Sequence, residues 1–176
     1  MAWGTTSIRT ASLNIWISKY PVFGAALRDL MQAIKTMSKQ ELVEMEALCR
    51  PLALGGDLGI RWSWDARLGA VLMTFTSDKA AAFQAFLSIH LPFNFDRGTL
   101  HKAPEPARKL VVSIGGVRLD QKIVCSDVSK PLLVLGAWWP WGGGQTISVR
   151  LFPIINDQPG PDTDTLVAAF KSWFGL

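Results

Sequence analysis

The sequence predicts an α+β protein, a single domain over residues 1–176 with a mostly antiparallel sheet of about five to seven strands and three to four helices. Segments with alternating apolar residues, typical of half-buried strands, are interspersed with segments whose apolar residues recur at helical spacing. Short turns join most of the strand-like segments, which favours antiparallel pairing. The hydrophobic fraction of 49% is enough for one sizeable core.

The N-terminal third is predicted to contain one strand and two helices. Alternating apolar residues over 13–17 indicate a half-buried strand. Apolar residues at helical spacing over 22–37 predict an amphipathic helix. A capping box at Ser38 opens a second helix over 39–50, which we expect Pro51 to stop.

The middle of the chain is predicted to form two hairpins around a helix and a loop. Alternation on both sides of the turn 65–69 indicates the first hairpin. A helix capped by Ser77 or Asp78 follows. Residues 93–109 predict a long basic loop, and a Gly-Gly turn within 110–124 indicates the second hairpin.

The C-terminal third begins with an apolar strand over 131–137. An aromatic and glycine-rich hairpin tip over 138–144 joins it to a partner strand over 146–155. After a loop over 157–164, a last helix capped by Thr165 carries a wide apolar stripe that we expect to lie in the core.

The tip concentrates three tryptophans next to three glycines. Strand neighbours alternate in direction, so we expect that Trp138, Trp139 and Trp141 cannot all point inward. Indoles combine an apolar body with one N–H donor and favour contacts with partners or lipid headgroups. We therefore expect an exposed tip that anchors the protein to a membrane or partner. The other interpretation is a lid folded over the core.

Charge is sparse and segregated along the chain. The net charge is +4, and only 18% of residues are charged, so apolar surface is expected to remain available for self-association. Basic residues collect in 1–40 and 97–122, and acidic residues collect in 157–164, which suits docking on an anionic surface or head-to-tail assembly. The candidate contacts with an anionic surface are four bases of the predicted loop: Arg97, Lys102, Arg108 and Lys109. The other interpretation is an ordinary solvated loop.

A second aromatic cluster offers a different function. Arg61, Trp62 and Trp64 form an alternative stacking platform for a sugar or a single-stranded nucleic acid. The alternation also fits a core face that carries the indoles, with Arg61 pointing outward.

Catalytic, metal and cofactor motifs are not recognisable in this sequence. The histidines lie in neither a nucleophile motif nor a metal-ligand spacing. Cys49 and Cys125 are expected to be buried, reduced thiols. Asp162 and Asp164 precede the last helix, where carboxylates satisfy its free N–H groups and dipole. We therefore expect no catalytic residue, no metal and no cofactor.

Targeting patterns point to the cytoplasm. No apolar run reaches the roughly 18–20 residues that span a bilayer, and the first residues lack the order of a signal peptide. We expect a cytoplasmic protein that associates peripherally with a membrane.

The start of the chain resembles a viral family. A strand over 11–18, then Tyr20-Pro21 and a helix over 24–34 resemble the opening of the core in small matrix proteins of negative-strand RNA viruses, such as rhabdoviruses. The small basic chain is similar in character, although it lacks the Pro-Pro-x-Tyr and Pro-Thr-Ala-Pro motifs. The resemblance implies self-assembly beneath a membrane and contact with a nucleoprotein or RNA, and it assigns no functional residue.

The sequence therefore favours a non-enzymatic structural protein that self-associates and docks on an anionic membrane or nucleoprotein. The alternative is a module that stacks a ligand on tryptophans. Docking through charge should weaken steeply with salt, whereas stacking of a neutral ligand should not.

Overall fold

The computed structural model describes residues 39–55, 59, 61–156 and 161–176, and Gln40–Leu176 forms one compact unit. The strand predicted over 13–17, the helix predicted over 22–37 and the segment that carries the viral resemblance lie outside the described residues.

The described elements confirm the α+β class. The helices are α1 (39–54), α2 (Ala80–His90), α3 (Glu105–Ser113) and α4 (Thr163–Trp173). The strands are β1 (Ser63–Asp65), β2 (Ala70–Thr76), β3 (Phe93–Phe95), β4 (Lys122–Cys125), β5 (Leu132–Trp141) and β6 (Thr146–Ile155). Short 3-10 turns occupy Ser77–Lys79, Leu100–Lys102 and Gly142–Gly144.

The six strands form one antiparallel sheet in the order β1-β2-β6-β5-β4-β3. The long hairpin β5–β6 lies at its centre and contains two prolines, which lack a backbone donor. Pro140 lies beyond Trp138, where β5 stops pairing with β4, and Pro153 lies beyond Leu151, where β6 stops pairing with β2. Each proline, which has no N–H to donate, therefore lies where its strand pairs with only one neighbouring strand.

Helices cover both faces of this sheet. One face, called the three-helix face, packs against α1, α2 and α4 through buried residues such as Leu52, Phe83 and Phe170. The opposite face, called the α3 face, packs against α3 through Ala107 and Val111. Successive residues of the central strands consequently enter two separate cores.

The first helix is longer than predicted. It continues past Pro51 to residue 54, and Gly55, with a φ of 67°, ends it. Leu52 is fully buried, so core packing sustains one more turn after the proline.

The region 93–124 was predicted wrongly. The expected long basic loop 93–109 contains β3 and the first half of α3, and the expected strand over 110–114 is the second half of α3 with the residue that follows it. Gly115 and Gly116 do not form a hairpin turn. Both have positive φ, and the N–H of Gly116 donates to the carbonyl of Val111 at 2.8 Å, which closes the helix as a Schellman motif.

The other expected elements in the described ranges are present. The turn 65–69 joins β1 to β2, helix α2 follows the 3-10 turn, and β5 pairs with β6. The last helix has its apolar stripe in the core, but its cap is Asp162 rather than Thr165. The Asp162 carboxylate accepts from the backbone N–H of Thr165 at 2.9 Å, as the helix dipole favours.

Candidate functional site

The four predicted anion-binding bases are all exposed in the layer on the α3 face. Arg97 lies in the turn after β3, Lys102 in the 3-10 turn before α3, and Arg108 and Lys109 within α3. The helix starts at a Pro-Glu-Pro segment, where proline is tolerated because the first N–H groups have no helical partner. The structure therefore brings these bases onto one side of the molecule.

Two exposed apolar side chains lie among these bases. Val112 is 72% exposed and stands one helical turn from Arg108 and Lys109, so the three share a face of α3. Leu119 is 88% exposed in the connection from α3 to β4, next to exposed Arg118. The sequence prediction missed both apolar residues, because it placed Val112 in a strand.

A hollow connects the two turns of this layer. Asp96 and Thr99 line it from the turn that carries Arg97, and Leu119 lines it from the turn that carries Arg118. The Asp96 carboxylate accepts from Thr99 and from the N–H of Gly98, so this acid stabilises its own turn. We call Arg97, Lys102, Arg108, Lys109, Val112, Arg118 and Leu119 the α3 surface.

Most bases of the α3 surface are free to meet an external anion. Lys109 forms a pair with Glu105 at 2.8 Å, and both side chains are largely exposed. Within the described ranges, no carboxylate is paired with Arg97, Lys102, Arg108 or Arg118. The layer therefore presents several unpaired bases around exposed apolar groups, together with the carboxylates of Asp96 and Asp120, which line the hollow beside Leu119.

Of the three tryptophans predicted to anchor the protein at an exposed tip, two are buried. Trp138 is 3% exposed in the core of the three-helix face, and Trp139 is 7% exposed in the core of the α3 face. Strand neighbours do point in opposite directions, but both faces of this sheet are covered. Trp141 is 47% exposed, and the turn itself is formed by the glycines that follow.

Trp141 belongs to a polar cluster on the α3 face. Its Nε1 donates to the hydroxyl of Ser148 at 2.7 Å, and Arg150 donates to the same hydroxyl from Nη1 at 3.2 Å. The Nε of Arg150 donates to Asp65 at 2.9 Å, and its guanidinium lies 4.8 Å from the ring centre of Trp139. We call these five residues the Arg150 cluster.

The Arg150 cluster neutralises its own charge. Burial would raise the pKa of Asp65, but the hydrogen bond and charge of Arg150, together with the backbone N–H groups of Leu68 and Arg67, hold this pKa below its usual value. The indole N–H of Trp139 is buried and has no hydrogen-bond partner. In the sequence, Arg150 is a charged residue inside an apolar strand. This pattern indicates a buried partner of opposite charge.

The alternative stacking platform is not assembled as such. Trp62 is buried in the core, where its Nε1 donates to the carbonyl of Leu52 at 2.9 Å. Trp64 is half-buried, with the Lys171 ammonium 5.4 Å from its ring centre, and Arg61 points to solvent. The core-face interpretation of Trp62 is confirmed.

The cysteines are buried and unpaired, as expected. Burial raises the pKa of Cys49 and raises that of Cys125 to about 12, so neither thiol is a ready nucleophile. Burial also lowers the pKa of His90. In the part of the chain that the structure describes, no three His, Cys, Asp or Glu side chains are grouped as metal ligands.

No family model, no curated protein and no solved structure matches this chain. Among the described residues, no helix is both long and apolar enough to cross a bilayer.

Proposed function

We propose that this protein is a non-catalytic docking protein that binds peripherally to an anionic membrane through the α3 surface. The observation that carries the proposal is the exposure of Val112 and Leu119 among bases of which, in the described ranges, only Lys109 forms an ion pair. Basic side chains attract acidic headgroups, and apolar groups inserted at the headgroup level add buried area. A nucleic acid would contact the basic side chains but would leave both apolar side chains in water.

Trp141 supports the same orientation. It lies on the same face of the sheet as α3, because it alternates with Trp138 and shares its direction with Trp139. Half of its ring is accessible, and indoles favour the headgroup region. Docking on a membrane also agrees with the resemblance to rhabdovirus matrix proteins, because that resemblance implies assembly beneath a membrane.

A variant with glutamine at four bases should bind vesicles containing phosphatidylserine more weakly than the wild type. The four bases are those predicted from the sequence: Arg97, Lys102, Arg108 and Lys109. Each base near an anionic bilayer contributes about 1 kcal/mol, so the joint loss is on the order of 100- to 1000-fold. Co-sedimentation with vesicles across a salt series measures it, and the wild-type affinity should fall steeply with salt. A Val112→Ser, Leu119→Ser variant should weaken binding while retaining the salt dependence.

A control variant keeps the charge change and moves it elsewhere. It carries glutamine at four exposed bases outside the α3 surface: Arg50, Arg61, Arg67 and Lys130. Equal losses in the two variants would show only a net-charge effect and contradict the proposed surface. Unchanged vesicle binding with lost binding to single-stranded RNA would favour a nucleoprotein partner instead.

Self-association is the second part of the proposal. Exposed Asp162 and Asp164 lie at the start of α4, which packs on the face opposite to α3. Opposite charges on opposite faces suit a head-to-tail contact, which closes into a ring or extends into a lattice. Because this contact and membrane docking use the same bases, anionic vesicles should compete with it.

We expect concentration-dependent oligomers at low salt that shift to smaller species as salt screens the exposed charges. Sedimentation velocity across a series of protein and salt concentrations measures this shift. The double variant Asp162→Asn, Asp164→Asn should form the smaller species even at low salt. A single monomeric species at every concentration would contradict self-association.

The alternative function is stacking of a sugar or single-stranded nucleic acid. Half-exposed Trp141 next to the polar Arg150 cluster favours it. Binding of an uncharged oligosaccharide that persists at high salt and disappears in Trp141→Ala would support this alternative over membrane docking.

A further inference from the structure

A second cleft lies on the three-helix face, and it shares Asn94 and Lys122 with the hollow that Leu119 lines. It has a volume of about 360 Å³ and runs between α2 and the edge formed by β3 and β4. Its apolar floor consists of Leu87, Leu91, Val124 and Trp138. This volume lies within the range of small-molecule sites.

The sequence of α2 explains why the cleft is open. Ala81, Ala85 and Ser88 recur at helical spacing and line the cleft. Short side chains there leave space next to the floor. Asn94 of the three-residue edge strand β3 forms part of the other side.

Among the described residues that line this cleft, Lys122 is the one that carries a charge. Its position on β4 lies opposite Trp138 on β5, and its ammonium is 5.2 Å from the Trp138 ring centre. Burial lowers the pKa of Lys122, and no ion pair neutralises it within the described ranges. Asp96 and Asp120 line a neighbouring hollow that Lys122 also borders, and neither lies within 4.0 Å of its ammonium nitrogen.

Neutral polar groups surround this cation. The side-chain amides of Gln84 and Asn94 line the cleft, and neither amide forms a hydrogen bond with another described residue. The hydroxyl of Ser88 donates to the carbonyl of Ala85 at 2.7 Å. The cleft therefore offers one ammonium and two amides to an anion, and none of its described lining residues is a carboxylate that would repel one.

We propose that this cleft binds a small monocarboxylate with an apolar body. The carboxylate lies at Lys122 and accepts from the amides of Gln84 and Asn94, and the apolar body covers Leu87 and Leu91. A partly buried cation without a counter-ion is costly, and a bound carboxylate offsets that cost. One ammonium neutralises the single charge of a monocarboxylate, whereas a phosphate group carries about −1.5 to −2 at neutral pH and would keep excess negative charge in the cleft.

The test uses phenylacetate and hexanoate as probes, with phenylacetamide and inorganic phosphate as comparisons. Titration followed by NMR should shift the side-chain amide resonances of Gln84 and Asn94 with the two carboxylates. Lys122→Met keeps the length of the side chain and should weaken carboxylate binding at least tenfold. Lys122→Arg should retain most of the affinity.

A matched control is Lys130→Met, which removes a lysine that is paired with Glu44 at 3.2 Å and lies outside this cleft. It should leave carboxylate binding unchanged. Equal affinity for phenylacetamide, equal affinity of the Lys122→Met variant, tighter binding of phosphate or no amide shifts at millimolar probe would each overturn the proposal. Lys122 also borders the hollow that Leu119 lines, so vesicle binding is measured on the Lys122→Met variant as well. Weakened carboxylate binding with unchanged vesicle binding separates this site from the membrane-docking surface.

Discussion

Replacing Phe83 by alanine is expected to lower the free energy of unfolding by about 3–5 kcal/mol. Phe83 is fully buried on α2, at the centre of the three-helix face. Its ring centre lies 5.0 Å from Phe75, 5.7 Å from Phe86, 6.2 Å from Trp62 and 6.5 Å from Trp138. Four neighbouring rings cannot collapse together into the space, so most of the cavity should remain.

Urea denaturation followed by circular dichroism measures this loss. The control is Ile89→Ala on the same helix, where the side chain is 75% exposed and the change should stay within about 0.5 kcal/mol. Similar midpoints for the two variants would contradict the packing of α2 on this face of the sheet.

Replacing Arg150 by methionine is expected to destabilise the protein by about 3 kcal/mol at neutral pH. The substitution leaves the Asp65 carboxylate, whose side chain is only 12% exposed, without its partner. It also removes the cation from the Trp139 ring and one donor from Ser148. The control is Arg50→Met, which breaks an exposed pair with Glu46 within α1 and should cost at most about 0.5 kcal/mol.

The destabilisation should depend on pH with a defined sign. Burial acts to raise the pKa of Asp65, but Arg150 and the backbone N–H groups of Leu68 and Arg67 together hold it below its usual value. A depressed pKa in the folded state contributes stability that is complete above the unfolded value, near 4, and is lost as pH falls through the folded value. The gap between wild type and Arg150→Met should therefore be largest above about pH 4 and narrow in stronger acid. A constant gap across this range would show that packing, and not the ion pair, causes the loss.

Local sequence patterns were enough to predict several elements of the fold. The alternation around the turn 65–69 identified the hairpin β1–β2, and the apolar runs 131–137 and 146–155 identified β5 and β6. In these segments, period and turn residues agree, so tertiary context has nothing to override.

Helix α3 was missed because two local signals conflict. Val111 and Val112 favour a strand by propensity, and Gly115-Gly116 is also typical of a hairpin turn. The Pro-Glu-Pro segment that begins at Pro104 is a helix start, and the packing of Ala107 and Val111 on the sheet decides for the helix. The exposed position of Val112 follows from that helix alone.

The α+β class, the central hairpin, the buried thiols and the presence of clustered bases could all be predicted from local patterns in the sequence. Alternation establishes which strand residues share a face, but it does not reveal whether the second face is covered. Trp138 and Trp139 enter two separate cores because helices pack on both sides of the sheet, which no local pattern indicates. The tertiary structure also decided which distant side chains meet, since the pairing of Asp65 with Arg150 depends on the order in which strands assemble.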